Sequence, residues 1–467
     1  MPQTVMVAES NQGATPSIGL STAALSLGTV LNPLNSSMIA VALVILRKDF
    51  GLDVATVTWV ITAFYLASAA GQPLMGRFAD RFGPKRLFIF GMALVAVTCI
   101  LAPFAGNFFL LCLARVFMAI GTAAAFPSSV VMVRSLSAAS NISSTRLLSR
   151  IQMANTAGAA IGPVVGGVLV SSIGWQALFY INIPLALLSL AGVQVFAPKD
   201  PPRAKQTIGE LVRSSDLPGI GGFTLTLVLL LMGMLDALPG YRWVLLGAAP
   251  LAAALFAWRE LAIGKPFLDL RLLGRNRPLL LIYLAFAMFT GVYYIAFFGL
   301  PQFLEEAGGF PANVVGLLML PLAAVSVIAT PFAARAIDRY GVRKILVYGM
   351  ASLLLGAGLL GLLTVSLQPW LIVVLAAALG FPYSAVSIAC SQGMYASTDP
   401  QDAGIASGIL QTCRYLGAIT ATVLIGVFFA PGVDQAAWGR LIVMMVVLAV
   451  GALVVTLFWR PAVSSDG

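Results

Sequence analysis

Two arginines stand where charges seldom do. Arg115 lies in the stretch Leu113-Ala-Arg-Val-Phe-Met-Ala-Ile-Gly121, and Arg414 follows Gly404-Ile-Ala-Ser-Gly408 and Gln411, each inside an apolar run long enough to cross a bilayer. A guanidinium in hydrocarbon costs about 2.5–3.5 kcal/mol on insertion scales, so each must face a bundle interior, find a partner or meet water. Arg115, about two turns from its helix end, has the alternative of snorkelling to the interface. Arg414 lies about eleven residues in, roughly 17 Å along the axis. At that depth it is either a hydrogen-bond hub between helices or a group that handles a solute or a coupled ion. No carboxylate accompanies them. None of the 17 acids falls well inside an apolar run: Asp236, Glu305 and Glu306 sit at one set of helix ends, and Asp80, Asp338 and Asp402 at the other. The chain has no histidine, which removes the commonest proton shuttle and metal ligand. The uncharged candidates are Asn32, Asn35, Ser36, Gln72, Met118, Tyr293, Tyr294, Phe381, Tyr383, Ser384 and Gln411. Aromatic and methionine side chains with a few polar groups suit a broad amphipathic binding site. The same residues can equally be packing against lipid or neighbouring helices.

The elements that must position these groups follow from composition. Of 467 residues 60% are hydrophobic and 9% charged, with a mean hydropathy of +0.96. Soluble proteins are about 25% charged, so the solvent for most of this chain is lipid. Apolar runs predict fourteen membrane helices near 20–45, 56–77, 86–105, 108–132, 151–172, 178–196, 217–236, 242–258, 278–304, 312–333, 344–366, 369–391, 403–429 and 437–459. The net charge of +10 does not point to nucleic acid, because the basic residues occupy short loops. With the N-terminus inside, 21 of the 27 Lys and Arg fall on the inner side and only Arg47, Lys48, Arg242 and Arg440 on the outer. That asymmetry predicts both termini in the cytoplasm. The polar N-terminus lacks the positive n-region and cleavage site of a secretory signal. Cys99, Cys112, Cys390 and Cys413 lie far apart in apolar runs and signal neither a disulfide framework nor a metal site. No nucleophile–base pair, metal spacing or nucleotide loop is present, so neither an enzyme nor a cofactor is expected.

A charged hairpin occurs twice. Gly76 to Arg86 reads Gly-Arg-Phe-Ala-Asp-Arg-Phe-Gly-Pro-Lys-Arg between two apolar runs, including Asp80, Arg81, Gly83 and Lys85. In a second copy 258 positions later, Arg335, Asp338, Arg339 and Gly341 fall on Arg77, Asp80, Arg81 and Gly83, and Arg343-Lys344 fall on Lys85-Arg86. A basic turn of this kind suits any cytoplasmic loop, but its return in register predicts two halves of one design. The stretch resembles the loop signature of the major facilitator superfamily of secondary transporters. The resemblance implies a gating role for the acid at the helix end, where the backbone dipole adds about 0.3–1 kcal/mol.

Further along, Gly158, Gly162-Pro163 and Gly166-Gly167 place glycines four apart on one helix face, a close-packing seam bent at Pro163. The seam is similar to that superfamily's antiporter signature. Trp175, Phe179, Ile181-Asn182 and Pro184 resemble the motif that follows it in the fourteen-span drug–proton antiporter branch. That likeness implies an all-α polytopic membrane protein of two six-helix bundles plus a two-helix insert. The expected division is a tail at 1–19, an N-terminal bundle at 20–197, linkers and insert at 198–277, a C-terminal bundle at 278–460 and a tail at 461–467. Helices 1, 4, 9 and 12 would line the cavity, with 2, 5, 10 and 13 beside them. The position of Arg115 resembles the family's helix-4 arginine, thought to assist proton transfer. One departure matters: where the branch carries an acid on helix 1, this chain has Asn35, which hydrogen-bonds but cannot titrate. The implied function is multidrug-type efflux of a small molecule, neutral or anionic because two arginines face no buried acid. Protons are the expected coupling ion, the lipid bilayer the setting, and a monomer the expected state. A proton-independent facilitator or importer, or a non-transporting sensor with the same fold, are the alternatives.

Overall fold

The computed structural model describes residues 17–138, 142, 144–200, 216–234, 238, 240–264, 266, 270–398 and 403–460. All regular structure there is helical. Among the described residues thirteen helices are long and apolar enough to cross a membrane, and Pro218–Met234 is a shorter apolar one. Together they match the fourteen predicted runs.

The first span, Ile18–Phe50, is not one smooth helix. α1 (Ile18–Met38) contains Pro33, passes through a 3-10 turn at Ile39–Ala42 and resumes as α2 (Leu43–Phe50). After α3 (Val54–Val57) come α4 (Trp59–Phe82), α5 (Pro84–Leu101), α6 (Phe108–Ala138), α7 (Ser144–Ser172), α8 (Ala177–Tyr180) and α9 (Asn182–Phe196). The central pair is α10 (Leu217–Met234) and α11 (Arg242–Ala262), followed by the short α12 (Leu270–Arg275). Six spans complete the chain: α13 (Arg277–Glu306), α14 (Ala312–Tyr340), α15 (Val342–Leu359), α16 (Pro369–Ala396), α17 (Ala403–Phe429) and α18 (Gln435–Phe458).

The packing repeats as the loops do. In the first six spans α1 packs on α7 and α9, α4 on α6, and α5 on α6 and α9. In the last six α13 packs on α17 and α18, α14 on α16, and α15 on α16 and α18. The two sets meet along α7 against α14 and α4 against α17, while α10 lies beside α4 and α17. Large apolar side chains such as Phe90, Leu101, Trp243, Trp258 and Leu355 point outward and are exposed, as expected where the surrounding solvent is lipid.

One boundary differs from expectation in a way that moves charges. The stretch from Arg259 to Arg277, expected to be linker, begins as helix: α11 runs on through Arg259 and Glu260. Glu260 is fully buried, because Arg259 donates to it over 2.9 Å and to Asp216 over 2.5 Å. Asp216 also accepts from the Gly219 amide at the start of α10. Arg259 is shared between the two carboxylates, and its bond to Asp216 ties the end of α11 to the start of α10.

Candidate functional site

Both hairpin copies turn on a glycine of positive φ, Gly83 at 100° and Gly341 at 84°, where a side chain is disfavoured. These mark the signature end of the molecule, and Gly51, Gly174 and Gly309 mark the far end. The side chains of Asp80 and Arg81 lie outside the described residues. In the first copy, Asp200 sits against Gly83 and accepts the amides of Lys85 (2.9 Å) and Arg86 (3.1 Å), capping the start of α5. Lys85 Nζ donates to the carbonyls of Gln194 and Ala197, each at 2.9 Å, at the close of α9. This half of the signature is thus bound to the segment after α9, and Asp200 is a participant that sequence reasoning missed. In the second copy Asp338 and Arg339 are exposed, and Arg339 lies over Tyr340. Gly76 packs loosely against Pro127 of α6.

The glycine seam is used on two sides. A side chain at Gly158 would strike Val30 and one at Gly162 would strike Ser37, while Gly166 faces the Met38 carbonyl, so this face of α7 closes on α1. Gly167 meets the Ala312 carbonyl, and the Pro163 carbonyl meets Gly316, so α7 also closes on α14. Small residues let the two backbones touch across the molecule. Further contacts between the first and last spans lie toward the same far end: Arg47 pairs with Glu306 at 2.8 Å, and the hydroxyls of Thr62 and Thr422 are 2.8 Å apart. Glu305, next to that pair, keeps a buried oxygen without a hydrogen-bond partner. The molecule is closed at the far end.

Inward of this seal lies a polar, aromatic centre. Gln72 of α4 donates to the Tyr415 hydroxyl of α17 over 2.5 Å, joining the two halves at mid-depth. Tyr65 stands edge-on to Tyr294 (5.6 Å) and beside Tyr415 (5.7 Å), Tyr294 stacks on Phe298 (5.4 Å), and Tyr293 lies 4.2 Å from Tyr383. Asn32, Gln72, Tyr294, Tyr383, Gln411 and Arg414 each retain partial exposure at mid-span. Asn32 is steadied by a 3.0 Å bond to Thr122. Arg414 lies 5.6 Å over the Phe286 ring, its Nε lacks a hydrogen-bond partner, and the titratable groups acting on it are Tyr383, Tyr294, Tyr415 and Tyr65.

Other candidates lie elsewhere. Asn35 is not free for a solute: its amide exchanges bonds of 2.7 and 2.8 Å with Asn182 and also donates to the Leu31 carbonyl, riveting α1 to α9. Arg115 does not line the cavity and does not snorkel. It is 2% exposed, with Nε on the Val60 carbonyl at 3.2 Å, Nη1 near Met118 Sδ and the guanidinium 4.3 Å above Phe64. Tyr293 is a second layer behind Tyr383. Ser36 returns its hydroxyl to Asn32, Ser384 bonds Ser326 and Thr330 between α14 and α16, and Met118 is buried. Phe381, two residues and so about 200° around α16 from Tyr383, is half exposed on the outer side. Tyr65 and Tyr415 went unselected, although a phenol within a membrane span needs a partner and each has one in the opposite half.

Two matched bundles of membrane-length helices around a polar, aromatic centre define a membrane transporter of the facilitator type. The chain belongs to the Major Facilitator Superfamily, whose family model matches residues 25–422 and 283–466. It is 36% identical over 427 residues, 91% of this chain and 93% of the relative, to the uncharacterized MFS-type transporter YwoD of Bacillus subtilis (strain 168). It is 27% identical to the tetracenomycin C resistance and export protein of Streptomyces glaucescens, over 88% of this chain and 76% of that one. Among solved structures, a bacterial homologue of the human lysosomal transporter Spinster superposes with a TM-score of 0.65 at 16% identity, covering 96% of this chain and 97% of that one.

Proposed function

We propose that this secondary transporter exports a small organic compound, neutral or anionic, by alternating access coupled to protons, as in the fourteen-span drug–proton antiporter branch. The bundles at 20–197 and 278–460 rock about the α7–α14 seam, and residues 198–277 connect them. The signature end faces the cytoplasm, where the basic residues collect, and both termini lie on that side of a cytoplasmic membrane. The described state then has its outer end sealed and receives cargo from the cell interior. The observation that carries the reading is the partial exposure of Asn32, Gln72, Tyr294, Tyr383, Gln411 and Arg414 at mid-span, which we read as the lining of a central cavity, beneath contacts that join both halves. Export by a relative that confers antibiotic resistance supports the direction. Asp80, Arg81, Asp338 and Arg339 act as the gate at the signature end, and the protein works as a monomer.

A second reading, a proton-independent facilitator, is favoured by Asn35 being locked onto Asn182 where a coupling acid would stand. Everted vesicles separate the two. Uptake of cargo that stops when nigericin collapses the pH gradient establishes antiport, and uptake that continues unchanged establishes the facilitator.

A further inference from the structure

We infer that the cavity is built for an aromatic acid carrying one negative charge, with Arg414 as its counter-ion and Tyr294 and Tyr383 as the surfaces for its ring. The inference rests on the reading of the chain as a transporter of small organic compounds.

The charge follows from what Arg414 lacks. Among the described residues, ion pairs join Arg47 to Glu306 and Arg259 to Asp216 and Glu260. Arg414 takes part in none of them, its buried Nε is unpartnered, and its titratable neighbours are the tyrosines Tyr383, Tyr294, Tyr415 and Tyr65. A guanidinium at this depth is tolerated only where water or a partner reaches it. A ligand that fills the cavity removes that water. A cation would add repulsion, and a neutral molecule would strip hydration and return nothing, whereas a carboxylate or phenolate restores the lost interaction through charge-assisted hydrogen bonds.

The ring follows from what stands beside the charge. Tyr294 is held against Phe298 and Tyr65, and Tyr383 against Tyr293, so these rings are fixed by other rings before a ligand arrives. Their faces carry negative quadrupole density, which repels an anionic group and favours the electropositive edge of a second ring. The ligand's acid therefore turns to Arg414 and its ring to the tyrosines. Gln72 spends its amide N–H on Tyr415, leaving its carbonyl oxygen to accept from hydroxyl substituents.

The test uses the purified full-length protein and four probes of similar bulk: 2-naphthoate, neutral 2-acetonaphthone, cationic 2-naphthylmethylamine and saturated decalin-2-carboxylate. Calorimetry is expected to rank 2-naphthoate at least about tenfold tighter than each of the others. Arg414→Gln should weaken 2-naphthoate by about tenfold or more with acetonaphthone within about threefold, and Arg414→Lys should keep most of the anion preference. Tyr383→Leu should shrink the gap between the aromatic and saturated acids. Equal or tighter wild-type binding of the cation or the ketone overturns the inference, as does unchanged naphthoate affinity in a folded Arg414→Gln. Proteoliposome counterflow then separates the two levels. Movement of the neutral or cationic probe without the acids removes only the anion assignment, while binding and movement of none of the four removes the transport reading with it.

Discussion

Arg115 and Arg414 are two guanidiniums in the interior of one membrane protein, one in each half, and their surroundings differ. Arg115 is sealed: Phe64 covers its face, the Val60 carbonyl takes Nε, and 2% of the residue is exposed, although its Nη2, like Nε of Arg414, has no hydrogen-bond partner. Arg414 also rests on a ring, Phe286, but stays partly exposed, with the tyrosines Tyr294 and Tyr383 as neighbours. The same charge is enclosed by packing in one half and left partly exposed in the other. Depth sets the cost of a buried charge, whereas the neighbours decide whether that cost is met inside the protein or left for a ligand.

The sharpest way to break this contrast is to remove each side chain. Arg115→Ala leaves a cavity and should cost about 2–5 kcal/mol, seen as a marked fall in the detergent melting temperature. Arg414→Ala should cost under about 1 kcal/mol, because its site is already open. Equal losses would erase the distinction. Next comes access. Arg414→Cys should react with a water-soluble maleimide at least about tenfold faster than Arg115→Cys, with the buried native cysteines Cys99, Cys390 and Cys413 as a slow background.

A smaller effect probes the bond that holds the open site together across the halves. Gln72→Leu, Tyr415→Phe and the pair should reveal a coupling of about 0.5–1.5 kcal/mol in a double-mutant cycle of melting stability. Strict additivity would mean the contact contributes nothing. The least expensive contact is the partly exposed Arg47–Glu306 pair at the far end, worth about 0.2–1 kcal/mol. Reversing it with Arg47→Glu plus Glu306→Arg should restore the transport rate lost in either single variant, and failure to restore would show that orientation, not charge, closes that end.

Much of the architecture was legible from the chain. The fourteen apolar runs, the doubled hairpin with its turn glycines at Gly83 and Gly341, and the small-residue face of α7 each rest on local chemistry that holds in any tertiary setting. The site was legible only in part. Asn32, Gln72, Tyr294, Tyr383, Gln411 and Arg414 keep partial exposure at mid-span, whereas Asn35, Met118, Ser384 and Arg115 are buried in packing. Helices in lipid are apolar all round, so their sequence carries little of the amphipathic signal that tells which face turns inward.

Sequence by itself therefore determined the solvent, the number of crossings, the internal repeat and the presence of two deep cations without a deep acid, since each is a matter of residue type and spacing along one chain. Tertiary structure alone decided that Asn35 finds Asn182, that Arg259 reaches Asp216, that Asp200 caps the turn at Gly83, and that one arginine is enclosed while the other is left partly exposed. Those outcomes depend on partners separated by tens to hundreds of positions. Which polar group meets which is set when helices choose faces, and in a bilayer that choice is made by close packing and hydrogen bonding rather than by hydrophobicity.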